Sequence, residues 1–295
     1  FLAFHGRYYH PSNSYIYLYG DMNMAEKLRF LDEEYLSKYE ALAVDSELVK
    51  EPPFTEPVEV YKEYPITESE SEKEKILEVV VEETAGRVPV YAGSGCINTK
   101  DTIRMSQKAK SLGADVLSVI TPWFAAASQN DLLEHYTEVA RAVDMPIVLY
   151  NIPARCGNSL LPSTVAKLAE IDNIVGAKDS SGSFDNMLQY IELTREKNFA
   201  ILSGNDSLIY WNLLAGGTGG IAGCANVFPK NMAGIYDAFI SGDLEQAKTY
   251  QDNIRPFRSC FRFGNPNTIV KTAVTLLGYP VGSCRRPFDQ ISQEG

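Results

Sequence analysis

The sequence predicts an α/β fold, a parallel barrel extended by helices at its C-terminal end. From about residue 86 onward, short apolar runs alternate with amphipathic stretches, the pattern of consecutive βαβ units and of a parallel sheet. The runs are apolar along their length rather than at alternate positions, as strands covered on both faces require. No Gly-x-Gly-x-x-Gly follows any of them, which removes the main signature of a doubly wound dinucleotide-binding sheet. A length of 295 residues is normal for an α/β barrel and leaves one or two domains open.

The strand-like runs are 88–95 (VPVYAGSG), 114–122 (ADVLSVITP), 145–153 (MPIVLYNIP), 173–182 (NIVGAKDSSG), 199–206 (FAILSGND) and 219–226 (GGIAGCAN). Helical patterns separate them at 99–111, 129–143, 162–170, 184–196 and 207–215. Three more follow with no strand between them, at 229–241, 243–254 and 266–278. The expected division is therefore a barrel over 1–228 and a helical region over 229–295. The first 65 residues are atypical. Residues 14–20 (SYIYLYG) read as a strand, and 21–44 as a helix with Leu28, Leu31, Tyr35, Leu36 and Tyr39 on one face. The Glu-, Pro- and Lys-rich stretch 45–75 reads as loop, and 68–86 as an acidic helix start leading into the regular pattern.

Composition excludes several function classes. A formal charge of −11 disfavours binding to a phosphate backbone, which needs clustered Lys and Arg, so no nucleic-acid partner is expected. With three histidines (His5, His10, His135) and no Cys pair at CxxC spacing, no metal site is expected. The five cysteines, odd in number and scattered, read as reduced thiols that pack as small hydrophobes. No apolar run reaches eighteen residues, so no membrane span is expected. The chain start lacks the basic and apolar regions of a signal peptide, and a cytoplasmic location is the expectation.

In a parallel barrel the chemistry collects at the C-terminal ends of the strands. Tyr150 ends MPIVLY and Lys178 ends NIVGAK, one β/α unit apart on the same rim. Burying an ammonium is costly unless it is paired or neutral, and a neutral amine attacks ketones to form a Schiff base. A neighbouring tyrosine relays the protons of carbinolamine collapse. Both residues also have plain readings: a rim lysine paired with Asp179 or Glu170, and a tyrosine that anchors packing through one hydrogen bond. The residues alone leave both open.

The stretches LYNIPARCG (149–157), IVGAKDSSG (174–182), LSGND (202–206), GGIAGCANVFP (219–229) and NPNTIVKTAVTLLGYPVGSCRRPF (265–288) resemble the dihydrodipicolinate synthase and N-acetylneuraminate lyase family. The resemblance runs from about residue 66 to the end. It implies a (β/α)8 TIM barrel with additional C-terminal helices, pyruvate-dependent class I aldolase chemistry, and a homotetramer or homodimer. It also implies that Lys178 is the Schiff-base lysine and that Tyr150 shuttles protons near the pyruvate carboxylate. Arg155 would hold the carboxylate of an aldehyde, as its planar fork suits, which favours the synthase branch and condensation of pyruvate with aspartate semialdehyde. Gly204 and Ile221 would line the pocket through their backbone. No cofactor is implied beyond the covalent imine of pyruvate on Lys178. The alternatives are a lyase of N-acetylneuraminate or an aldolase of 2-keto-3-deoxy sugar acids, and a non-catalytic keto-acid binding homologue.

Two departures stand against the family pattern. The Gly-Thr-Thr-Gly-Glu motif that follows the second strand, expected near 60–64, reads Val60-Tyr61-Lys62-Glu63-Tyr64, with Thr67 the nearest hydroxyl in PITES. The usual Thr-Pro-Tyr-Tyr reads Thr121-Pro122-Trp123-Phe124, without the second phenol. A variant substrate, weakened catalysis, or a first stretch foreign to the family would each account for the first departure.

Overall fold

The computed structural model describes residues 9–18, 22–44, 68–288 and 291. The chain falls into two compact units, Phe1–Tyr64 and Pro65–Gly295.

In the first unit, a turn of 3₁₀ helix at Pro11–Asn13 precedes helix α1, Met24–Glu34. Asn23 caps α1, its Oδ1 accepting the Glu26 N–H at 3.3 Å. The helix is shorter than the expected 21–44, because Tyr35 leaves helical geometry and a second 3₁₀ turn, Leu36–Lys38, follows. None of these elements has a buried residue, and Leu28, Tyr35 and Tyr39 are all more than half exposed. The expected strand at 14–20 does not form over its described part, residues 14–18. Residues 45–67, including 60–64 and Thr67, lie outside the described residues. Residues 68–75, where the loop reading of 45–75 overlaps the helix reading of 68–86, open helix α2, Glu68–Thr84, as the latter expects.

The second unit carries a six-stranded, wholly parallel sheet in sequential order. Its elements are β1 (Tyr91–Gly93), α3 (Thr99–Ser111), β2 (Val116–Ile120), α4 (Gln129–Ala142), β3 (Ile147–Asn151), α5 (Pro153–Cys156), α6 (Pro162–Leu168), β4 (Ile174–Asp179), α7 (Phe184–Thr194), β5 (Ala200–Ser203), α8 (Ile209–Leu214) and β6 (Gly219–Gly220). Helices α9 (Pro229–Ile240), α10 (Leu244–Asn253), α11 (Arg255–Ser259) and α12 (Pro266–Leu276) follow. The helices start where the sequence supplies caps. Asn98, Ser183 and Asp243 each accept an N–H of the first turn, and Ser128 forms a full capping box with Asp131.

Three elements of this unit differ from expectation. The run 219–226 is strand only at Gly219–Gly220, then turns into 3₁₀ helix at Gly223–Asn226. The buried Asp206 takes the Cys224 N–H at 3.3 Å and so draws the chain off the sheet. The short helices α5 and α11 carry too few residues for a periodic signal.

One face of the sheet is the main core. Leu117, Val119, Leu149, Ala177 and Ile201 are fully or almost fully buried with Leu132, Tyr136 and Val139 of α4 and Leu168 of α6. A second apolar cluster, including Ile209, Leu213, Met232, Ile235 and Ile254, seats the C-terminal helices on α8. Among the described residues, no helix is long and apolar enough to cross a membrane.

Between α3 and α4, His135 is 5% exposed, with Nδ1 3.0 Å from the Thr99 hydroxyl and Nε2 without a partner. Burial lowers its pKa from 6.5 to about 4. The folded ring therefore stays neutral while the unfolded one takes a proton, so stability is complete above pH 6.5 and falls as pH drops towards 4. Urea unfolding is expected to show a loss of roughly 3 kcal/mol across that window. In His135→Gln that part of the slope is expected to vanish.

Candidate active site

Tyr150 and Lys178 are direct partners in the β3–β4 ladder, as are Asn151 and Asp179 immediately after them. Side chains alternate along a strand, so the second pair points outward and the first inward. The outward pair is locked. Asn151 Nδ2 donates to Asp179 Oδ1 at 2.8 Å, Asn151 Oδ1 accepts the Leu160 N–H at 3.0 Å, and the Ser181 hydroxyl donates to Asp179 Oδ2 at 2.8 Å. Both polar side chains are fully buried. Their network fixes the strand ends, and with them the direction of Tyr150 and Lys178.

Lys178 Nζ sits 3.9 Å from the centroid of the Tyr150 ring. The plain reading of a rim ion pair fails: Asp179 is engaged as above, and Glu170 pairs with Lys197. The plain reading of Tyr150 fails too, since its hydroxyl bonds to no other described residue.

Gly204, just after β5, donates its N–H to Asp179 O at 2.8 Å. A Cβ at this position would collide with Ser180 Oγ and come within 2.8 Å of Lys178 Cε, so only glycine leaves the lysine its place. Ser180 Oγ is buried and has no hydrogen-bond partner. It lies beside the lysine stem, and sequence reading missed it; the only signal was a hydroxyl two residues after Lys178. Ile221 donates its N–H to Ser203 O at 2.9 Å and shares a cavity of about 290 Å³ with Tyr150. Arg155 lies in the last turn of α5, at the same end of the sheet as Tyr150, and is exposed with no ion pair to another described residue.

Residues 121–127 are tied down from below. Asn158 donates to Pro122 O and Ala125 O, both at 2.8 Å, and accepts the Ala127 N–H at 2.8 Å. Held this way, Phe124 takes a left-handed φ of 81° and is 96% exposed.

A second clamp follows Gly204. Asp206, 3% exposed, pairs with Arg258 Nη1 at 3.0 Å, and Arg258 Nη2 reaches Asn205 Oδ1 at 3.0 Å. Burial, then the Asp206 carboxylate, pushes the Cys224 thiol up to about 12, which makes it an unreactive packing group. All five cysteines are free. Among the described residues, no cluster of His, Cys, Asp or Glu is arranged to hold a metal ion.

An inward lysine over a tyrosine ring, with its stem in a glycine cradle, is a constellation that comparison with known proteins can place. Residues 65–295 match the dihydrodipicolinate synthetase family. The chain belongs to that family. The 4-hydroxy-tetrahydrodipicolinate synthase of Methanospirillum hungatei is 39% identical over 229 residues, 77% of this chain and 78% of the relative. The corresponding protein of Methanothrix thermoacetophila is 41% identical over 229 residues, again 77% of each chain. The crystal structure of dihydrodipicolinate synthase from Aquifex aeolicus superposes with a TM-score of 0.72 at 33% identity, over 76% of both chains. A prophage member of the family from Escherichia coli K12, solved in complex with pyruvate, gives 0.72 at 30% identity over 76% of this chain and 77% of that one. As a member of this family the chain is an enzyme, a lyase of the class I aldolase type, and its relatives carry the activity that the sequence reading placed first. Residues 1–99 match a different description, the Peptidase M16 inactive domain. The stretch that departs from the synthase pattern is thus similar to part of another family.

Proposed function

We propose that the chain condenses pyruvate with an aldehyde through an imine on Lys178, as a 4-hydroxy-tetrahydrodipicolinate synthase acting on aspartate semialdehyde. The observation that supports this most is the contact between Lys178 and Tyr150 on adjacent strand ends. In its amine form Lys178 attacks the ketone carbon. The carbinolamine loses its oxygen as water, with the proton supplied by the Tyr150 hydroxyl. Loss of a methyl proton turns the iminium into an enamine, whose carbon attacks the aldehyde. Arg155, exposed at the same rim and with no ion pair to another described residue, is available for the aldehyde's carboxylate. Gly204 and Ile221 shape the floor of the pocket. The imine is the electron sink, so the reading calls for no cofactor and no metal.

We extend the same reading to the fold: the six parallel strands represent consecutive strands of a (β/α)8 barrel, with α9–α12 as its C-terminal addition. A homotetramer or homodimer is supported by Phe124, held outward on a clamped loop. A cytoplasmic location agrees with free cysteines.

The alternative substrate class, 2-keto-3-deoxy sugar acids, draws no support from Ser180, whose hydroxyl is fully buried beside Lys178 and out of a substrate's reach. The test is pyruvate with borohydride followed by peptide mass, then condensation with aspartate semialdehyde against cleavage of sugar acids. A pyruvyl adduct on the Lys178 peptide and condensation without cleavage are expected. Cleavage alone would make it a sugar-acid aldolase, and the absence of any adduct would leave a non-catalytic keto-acid binder.

A further inference from the structure

The cavity beside Tyr150 is lined by two further hydroxyl-bearing residues, Ser118 and Tyr91. Ladder register puts them on its face of the sheet. Tyr91 pairs with Val116, Gly93 with Ser118, and Ile120 with Tyr150, so positions 116, 118 and 120 of β2 share the inward side. Ser118 therefore lies two residues, about 7 Å along the strand, before the level of Tyr150. Inward positions of a parallel barrel are normally filled by branched apolar residues. Here a serine and a tyrosine stand instead, around about 290 Å³ of open space. Like Tyr150, neither hydroxyl bonds to another described residue. The other residues of the cavity wall, Ile120, Ile221 and two glycines, have no exchangeable side-chain proton.

We propose that Ser118, backed by Tyr91, is the route by which Tyr150 exchanges protons during imine chemistry. This rests on the imine reading above. Carbinolamine collapse breaks the C–O bond, and the oxygen leaves as water with the Tyr150 proton. Enamine formation breaks a methyl C–H bond and returns one proton, leaving its electron pair in the new C=C bond. The net proton change is zero, but the two events are separate. Between them Tyr150 is a phenolate, a state that a neighbouring hydroxyl chain relieves. The cavity is large enough for water to bridge the three groups. Ser118 and Tyr91 act through Tyr150, as positioning residues that set its protonation.

The test follows deuterium entering the pyruvate methyl group in D₂O, which needs no aldehyde and reads enamine formation directly. Borohydride-trapped adduct at equilibrium is measured in parallel. In Ser118→Ala and in Ser118→Ala/Tyr91→Phe, exchange is expected to slow by roughly 10- to 100-fold, with the adduct yield unchanged. Ser118→Thr is expected to restore most of the rate. Wild-type exchange in the double variant would overturn the proposal. So would a parallel fall in adduct and exchange that threonine does not rescue, which would mark a structural role. If the wild-type protein forms no adduct, the imine reading fails and this proposal with it. An adduct in every variant with unaltered exchange overturns only the relay.

Discussion

Lys178→Met is expected to remove the borohydride-trapped pyruvyl adduct entirely and to lower turnover by roughly 10⁴-fold or more. Methionine keeps most of the side chain's length and its apolar stem, so the glycine cradle at 204 stays filled. What disappears is the nucleophile and its contact with the Tyr150 ring, about 0.5–1 kcal/mol of attraction. The melting temperature should therefore move by only a few degrees, which separates lost chemistry from lost fold. Tyr150→Phe is the companion. It keeps the ring beneath Nζ at the 3.9 Å contact and removes only the hydroxyl. Adduct should still form, slowly, with turnover down by roughly 10²- to 10³-fold. A pyruvyl adduct on intact Lys178→Met protein, mapped to another peptide, would show that the nucleophile has been assigned to the wrong lysine.

The parts of this site that could be read from the sequence are those whose signal is local. Lys178 and Tyr150 are visible because each ends an apolar run, and because strand–helix alternation puts neighbouring strand ends on one rim. Helix boundaries such as 99–111 follow from caps and period. Other features depend on what folding brings together. The unpartnered Ser180 hydroxyl and the lack of room at Gly204 are consequences of β4 and β5 lying side by side. The run 219–226 looks like a strand by composition. Its departure from the sheet is set by Asp206, 18 residues away in sequence. Of the apolar stripe expected on one helix face, Leu28 and Leu31 fall in α1 while Tyr35, Leu36 and Tyr39 lie beyond its end, and periodicity cannot say whether a core exists to receive such a stripe. Among the described residues of that unit's helices, nothing is buried.

The clamp between Arg258 and the Asn205–Asp206 pair carries the second large effect, this time on stability. Its partners are 52 and 53 residues apart and unite α11 with the turn that follows β5. Asp206 is 3% exposed, and besides Arg258 its carboxylate takes the Cys224 N–H at 3.3 Å and the Cys224 thiol, neither of them a counter-charge. In Arg258→Leu a nearly buried carboxylate loses its counter-charge. Breaking such a pair from one side costs about 3–5 kcal/mol, which urea unfolding should report as an early midpoint. Adding Asp206→Asn removes the orphaned charge while keeping an acceptor for Cys224, so the double variant should recover part of the loss. Function should follow the same order. Asn205 and Asp206 directly succeed Gly204, and a loosened turn lets the cradle shift against Ser180 and the Lys178 stem. Pyruvate methyl exchange is thus expected to fall in Arg258→Leu and to rise again in the double variant. Unfolding midpoints equal to wild type in Arg258→Leu would mean that the clamp is incidental and that α10 and α12 alone hold the C-terminal helices in place.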